Sequence, residues 1–371
     1  MVANKKRQIL QICHSYSPPF LDCARQYATL FKKTEFAVTT VFWTGKADES
    51  LVELTDSDHV IFLETPTKKL KGLKRKLIKR IRSLCAEKSF ELCIAHRTKP
   101  TYLALLATKL PVISVHHAFG DFERWGRRLF INFFVGRLLL VGVSNAVRND
   151  IKHSLPHWPD DKIQTIYNHI NINDSKNKLL ERSEARQRLG LNEDVFIMAN
   201  VGRLHPDKDQ KTLISAFCSA LPELPANTQL LIFGKGKLEG DLKQLVLELE
   251  IQQNVKFMGH VKDVKYYFKA FDLFILTSDK EPFGMVLLEA LVAGLPIISS
   301  DCGGAKEVVE TTGTLFPFAD EEALSGKLID AVNCVASNET VSSYVKLKET
   351  FSDEAVTELF WDMDFIKKTL D

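Results

Sequence analysis

The chain has no long hydrophobic run. Its longest apolar stretch, Leu129 to Val143, is interrupted by Asn132 and Arg137 and is too short to span a bilayer, so no membrane-crossing helix is expected. The apolar residues behind Lys5, Lys6 and Arg7 end after "ILQIC", which gives no secretory signal. Cysteine is sparse, with seven residues at 13, 23, 85, 93, 218, 302 and 334. An odd, scattered set without a C-x-x-C pair argues against a disulfide framework and against a thiolate zinc site. A reducing cytoplasm is the expected setting. A large net charge is missing too, at +2 over 371 residues of which 45% are apolar. That composition describes a globular protein long enough for two domains.

The small net charge conceals an uneven distribution. Residues 1–170 hold 27 Lys and Arg against 15 Asp and Glu, an excess of twelve positive charges, which leaves the rest of the chain at minus ten. Nine of the fifteen residues in "KKLKGLKRKLIKRIR", 68–82, are basic. Leu70, Leu73, Leu77, Ile78 and Ile81 recur there at helical spacing, so an amphipathic helix with a cationic face is expected. Such a helix is either a solvated face or a surface for an anionic membrane or a phosphorylated acceptor. No recognition motif for nucleic acid accompanies it, and nucleic acid is not expected as a partner.

Short β-rich runs alternate with helical stretches: "RQILQIC", "AVTTVFW", "HVIFLE", "ELCIAH", "PVISVHH" and "LLLVGVS", then "VFIMANVG", "QLLIFG", "NVKFMG", "LFILTS", "LPIISS" and "TLFPF". This alternation predicts an α/β protein with doubly wound parallel sheets. Polar text around 170–190 suits a linker. The expected division is therefore a Rossmann-like domain over 1–170, a second over 171–350, and a helix over 351–371 packing back on the first. A ligand cleft is expected between the two domains, because ligands gather beyond the carboxyl ends of such strands.

The second half carries the chemistry. "ANVGRLHPDKDQKTLISAF" places Gly202 after a strand, with Arg203 and Lys208 bracketing the loop into a helix. A glycine turn admits a ligand to the backbone, and two cations near a helix start suit a diphosphate. "IFGKGKLEGDL" repeats the device with Gly234 and Gly236, and "SSDCGGAKEVV" with Gly303 and Gly304. Between them, "DKEPFGMVLLEALVAGLP" holds Glu281 before a helix and Glu289 inside it among leucines, where an unpaired carboxylate would be costly.

This order of motifs, with E-x7-E followed by "GLPIISSDCGG", resembles the donor half of retaining glycosyltransferases of family 4 over residues 195–315, and the whole chain looks like their GT-B fold. The resemblance implies that Arg203 and Lys208 neutralise the diphosphate of a UDP- or GDP-linked sugar, a donor substrate that takes the place of any cofactor. It implies that Glu289 accepts from the ribose hydroxyls, that the amides of Phe283, Gly284 and Met285 face the diphosphate and sugar, and that Glu281 meets the sugar hydroxyls. Gly202 and Gly234 would belong to the same donor site. Lys208 and Arg203 would stabilise the charge on the leaving phosphate. No metal site is expected, the cations standing in for an ion held by an Asp-x-Asp motif.

The first half departs from the family in two places, one of them "IYNHI", which has His169 where relatives often have the glycine of "PNG". "ICHSYSPPFLDCARQYATLF" has His14, Pro18 and Pro19 where relatives often have a Gly-Gly turn. "PVISVHHAFGDF" sets His116 and His117 at a strand end, and one of them corresponds to the family histidine near the donor sugar. Together with "VHHAFGDFERWGRR" these tracts resemble lipopolysaccharide core transferases. The expected protein is a retaining, metal-independent hexosyltransferase, peripheral at the inner face of the cytoplasmic membrane, acting on a lipid-linked or phosphorylated glycan. A GT-B sugar-nucleotide epimerase and a non-catalytic nucleotide-sugar-binding partner are the alternatives. Donor base, sugar and oligomeric state have no signature in the sequence.

Overall fold

The computed structural model describes residues 6–17, 20–66, 74–333 and 339–371, the side chains of 339–342 excepted. The chain divides into two units, residues 1–168 with 353–371, and residues 169–352.

In the first unit the strands are β1 (Arg7–Cys13), β2 (Phe36–Phe42), β3 (His59–Phe62), β4 (Phe90–His96), β5 (Val112–His116), β6 (Leu138–Gly142) and β7 (Ile163–Thr165). They form one parallel sheet in the order β3-β2-β1-β4-β5-β6-β7. β2 and β5 are buried throughout, as strands covered by helices on both faces must be. The order reverses between β1 and β4, and the crevice outside the carboxyl ends at such a switch is where open α/β sheets take ligands. Helices Asp353–Asp362 and Asp364–Leu370 belong to this unit. Trp361 Nε1 donates to the Leu30 carbonyl at 2.8 Å, and Phe360 meets Phe31 edge-on.

The second unit contains β8 (Phe196–Val201), β9 (Thr228–Phe233), β10 (Val255–Gly259), β11 (Leu273–Leu276), β12 (Ile297–Ser300) and β13 (Thr314–Phe316). Their order is β10-β9-β8-β11-β12-β13, again parallel, with the reversal between β8 and β11. Met198, Leu230, Ile232, Ile275 and Ile298 point from the sheet into one apolar cluster with Leu213 and Phe217 of helix Gln210–Ala220.

Two expectations need correction. The segment around 170–190 is not a linker: it forms helices Ile172–Lys178 and Arg182–Leu189. Its polar composition misleads because Arg186 is fully buried, bonding Asp272 at 2.8 Å and the carbonyls of Ala270 and Asn192. A buried guanidinium needs such partners, and here they tie the segment to the unit's core. The basic helix runs Arg75–Glu87 with Leu77 and Ile81 buried, and Lys74 precedes it at φ 49°. The expectation for 68–73 lies outside the described residues, as does that for Pro18 and Pro19. β7 has no counterpart among the predicted runs, since "IQT" is too short to show a period.

Candidate functional site

The carboxyl ends of β8, β9, β11 and β12 bring four loops together in the second unit. Gly234, at φ +128°, lies so close to the Gly202 carbonyl that a Cβ on it would stand 1.8 Å from that oxygen. A Cβ on Gly236 would meet the Leu204 carbonyl at 2.1 Å, and one on Gly304 the Pro282 carbonyl at 2.3 Å. These glycines are required because backbone packs on backbone. The chain from Arg203 to Asp209 is fastened to the loop after β11: Thr277 Oγ1 donates to the Lys208 carbonyl at 2.8 Å, and the Asp279 amide to the Asp207 carbonyl at 3.0 Å. Asp209 caps helix Gln210–Ala220, its carboxylate accepting from Thr212 Oγ1 at 2.7 Å.

Within that frame Lys208 Nζ pairs with Glu281 Oε2, and Ser278 Oγ donates to the same carboxylate oxygen at 3.3 Å. The Glu281 carbonyl accepts from the Gly304 amide at 2.8 Å, which joins this corner to the turn after β12. Arg203 behaves differently. Its side chain is 69% exposed and paired with Asp207 at 3.1 Å. Phe283 is buried with its ring edge-on to Phe351, Gly284 caps helix Met285–Val292 at φ +89°, and Met285 begins that helix. Glu289 is half-buried rather than enclosed, although Leu288 and Ala290 beside it are buried. It lines a small cleft of about 40 Å³ with Ser175, Lys178, Lys265 and Tyr266.

His116 and His117 lie in the first unit, where β5 ends. His116 is fully buried, with Nδ1 on Asp121 at 2.7 Å and Nε2 on Ser114 Oγ at 2.9 Å, so both ring nitrogens are committed inside the protein. Burial pushes the Asp121 carboxyl up more than any single neighbour lowers it, but the hydrogen bond from His116 together with the charges of His116, Arg127 and Arg97 leaves the group below its ordinary value. His117 is only half-buried and continues a polar chain that sequence reasoning missed. Gln11 Nε2 donates to the Ala24 carbonyl at 3.0 Å, so its Oε1 accepts from His96 Nε2 at 3.2 Å. His96 Nδ1 is then bare and accepts from His117 Nε2 at 3.1 Å, leaving His117 Nδ1 to face the Cys23 thiol at 3.5 Å. Burial, reinforced by neighbouring Arg97, lowers His96 to about 3, and burial also holds His117 well below its ordinary value. Burial pushes the Cys23 thiol up to about 12. The chain is thus neutral, with each proton's position set. Its sequence signal was "AHR" ending β4, at the end of a strand where ligands gather.

Also in this unit, a cavity of about 470 Å³ is walled by Tyr102, Phe122 and Phe130, with Lys74, Lys99 and Arg127 among its lining. Three Asp-x-Asp triplets do stand in the chain, at Asp56–Asp58, Asp207–Asp209 and Asp362–Asp364, and in the second of them Asp207 holds Arg203 and His205 while Asp209 caps its helix through Thr212. Asp56 holds Lys32 and Thr29, Asp58 holds Lys6 and the Val38 amide, and Asp362 holds Lys367. Among the described residues no group of three His, Cys, Asp or Glu forms a metal site.

Residues 181–348 match the family described as "Glycosyl transferases group 1". They form a group 1 glycosyltransferase domain. Over 194 residues the chain is 34% identical to a GDP-mannose-dependent monoacylated phosphatidylinositol monomannoside mannosyltransferase of Corynebacterium glutamicum, covering 50% of this chain and 45% of that one. It is 27% identical over 179 residues to the lipopolysaccharide core biosynthesis glycosyltransferase LpsE of Rhizobium meliloti, covering 47% and 51%. The chain spans about half the length of the curated relatives it matches. Among solved structures, a glycosyltransferase of Rickettsia africae superposes with a TM-score of 0.84 at 18% identity over 99% of both chains. Anabaena Alr3699/HepE in complex with UDP and glucose gives 0.77 at 20% identity over 95% of this chain and 98% of that one. These likenesses show the GT-B fold. The glycosyltransferase domain contains every candidate donor residue from Gly202 to Glu289.

Proposed function

We propose that the protein is a retaining glycosyltransferase that moves a hexose from a UDP- or GDP-linked sugar to a lipid-linked or phosphorylated glycan, the lipopolysaccharide core being the acceptor its first-half tracts resemble. The observation that carries this reading is the Lys208–Glu281 pair, set with Ser278 among backbone-packed glycine turns at the switch between β8 and β11. A diphosphate placed there meets Lys208 at once, while Arg203 turns to it from the half-buried Asp207. As Lys208 takes up phosphate charge, Glu281 is released to accept from sugar hydroxyls. Both cations stabilise the charge that grows on the leaving phosphate, which itself takes the acceptor proton, and no metal ion is needed. Glu289 accepts from the ribose hydroxyls, and the turn from Phe283 to Met285 offers its amides to the diphosphate.

His117, whose ring reaches the edge of the first unit through a fixed chain of imidazoles, is the better of the two histidines to meet a sugar, because His116 has both nitrogens engaged. No helix among the described residues is long and apolar enough to cross a membrane, and the reading places the protein on the inner face of the cytoplasmic membrane through its basic helix. Incubating it with a panel of nucleotide sugars should release nucleoside diphosphate from one of them, faster with a lipid-linked or phosphorylated glycan acceptor. No release from any donor, together with unchanged nucleotide affinity in Glu289→Ala, would rule this reading out.

A further inference from the structure

Arg97 is the most anomalous residue of the first unit. It follows β4 at the topological switch and caps helix Thr98–Ala107, yet its backbone sits at φ 75°, ψ 170°. That region is populated almost only by glycine, and other residues persist there where the surroundings dictate it, commonly at binding sites. The backbone is pinned: the Arg97 amide donates to the Val115 carbonyl at 2.7 Å, and its carbonyl accepts from Thr101 Oγ1 at 2.9 Å. The side chain is not comparably satisfied. Its Nε is buried without a hydrogen-bond partner, no described carboxylate pairs with it, and the guanidinium lies 4.8 Å over the Phe20 ring. Buried guanidinium donors are costly to leave unmade.

The neighbourhood adds further positive charge. Burial lowers His14, and the charges of Lys99 and Arg97 lower it further. Arg97 also holds down His96 and His117. Two carboxylates are near: Asp121 is taken by His116, with Arg127 at 3.8 Å, and Asp22 acts on the Cys23 thiol in opposition to Arg97. Trp43 Nε1 donates to His14 Nδ1, so neutral His14 carries its proton on Nε2 as a further donor. A helix start, a forked cation with an open donor, Lys99 and an imidazole N–H therefore converge where an α/β sheet takes its ligand.

We propose that Arg97, with Lys99 and His14, binds a phosphate group of the acceptor. A phosphate, carrying about −1.5 to −2 charges, matches a guanidinium, an ammonium and a helix terminus better than a single carboxylate does, and its oxygens fit the guanidinium fork. The assignment of this phosphate to an acceptor rests on the transferase reading. The binding itself does not.

Calorimetry with the whole protein separates the two. The probes are glycerol 3-phosphate and dihexanoyl phosphatidic acid, a soluble and a lipid phosphate. Arg97→Gln should weaken whichever probe binds by at least tenfold, and the more Arg97-dependent probe identifies the source of the phosphate. Arg97→Gly, which relieves the backbone conformation, should melt no lower than wild type and still lose the binding, so a folding defect cannot account for the result. Bound phosphate should also raise the titration of His14 and His117 in imidazole NMR, a shift that a purely structural Arg97 would not give. Affinity for nucleotide diphosphate should be unchanged in both variants. Failure of wild type to bind either phosphate, equal binding by Arg97→Gln, or acetate binding as tightly as glycerol 3-phosphate would each overturn the proposal.

Discussion

Lys208 and Glu281, 73 positions apart in sequence, form an ion pair in which the side chains are only 17% and 12% exposed. Nothing in the sequence of a Gly-to-helix loop marks its lysine as buried, yet this one is enclosed. Lys208→Ala would leave the Glu281 carboxylate buried with Ser278 alone, and removing one partner of a buried pair costs about 3 kcal/mol. A Lys208→Met/Glu281→Leu double variant should recover most of that loss while binding no nucleotide diphosphate. Urea denaturation of the three proteins measures both parts, and a single variant as stable as wild type would show that the pair does not hold the loops.

The stacked glycine turns give a sharper test because two glycines form a matched pair. Gly234→Ala drives a Cβ into the Gly202 carbonyl, so it must push the β8 and β9 loops apart. It should cost more than about 3 kcal/mol, or prevent folding. Gly240 lies in helix Glu239–Glu248 with open space around its Cβ position, and Gly240→Ala should stabilise by about 0.5–1 kcal/mol. Thermal melts that place the two variants in the reverse order would refute the packing argument.

The same contrast explains which features were legible in the sequence. Twelve strands were visible because parallel strands buried on both faces read as uninterrupted apolar runs, and the glycine turns were visible because nothing else fits those backbone approaches. The Lys208–Glu281 pair was not, since the residues' separate motifs give no sign that a carboxylate neutralises the cation before any donor arrives. Arg186 misled for the opposite reason: a segment rich in charge looks like solvent-exposed linker unless its buried acceptor, Asp272, is known. The Gln11–His96–His117 chain joins β1, β4 and the end of β5, and only the sheet order reveals that these residues are neighbours.

That chain predicts a pH dependence. His96, lowered to about 3, and His117, lowered well below its ordinary value, stay neutral in the native state, while the unfolded chain takes up protons on both near pH 6.5. The unfolded state then binds more protons, so stability rises with pH through this window and is complete above about 6.5. As pH falls from about 6.5 towards 4.5, before the carboxylates titrate, wild type should lose up to about 1.4 kcal/mol per pH unit for each such histidine. His96→Gln keeps polar partners for Gln11 and His117 and should flatten the fall. Denaturation midpoints at several pH values test this, and parallel profiles for the two proteins would show that His96 is not the group responsible.

The basic helix and its neighbour allow membrane binding to be tested. On helix Arg75–Glu87, Arg80 and Arg82 donate to the Leu63 and Leu106 carbonyls, so they serve the fold. Arg75, Lys76 and Lys79 are exposed and show no such partner among the described residues. Helix Trp125–Asn132, whose Phe130 shares the 470 Å³ cavity with Lys74, leaves Trp125 72% and Leu129 50% exposed, and Phe133 just beyond it 77%. These three recur every fourth residue and so line one face, and an amphipathic helix that pairs aromatics with arginines lies flat in a lipid interface. Replacing Arg75, Lys76 and Lys79 with Gln should weaken binding to anionic vesicles by about 1 kcal/mol per charge, and the difference should vanish in high salt. Replacing Trp125 and Phe133 with Ala should weaken it by about 1–3 kcal/mol per residue, and salt should not remove that loss, since burial of apolar area is not screened. Vesicle sedimentation would separate the two terms. Binding indifferent to both sets of changes would leave the basic helix as a solvated face and the exposed aromatics without a lipid partner.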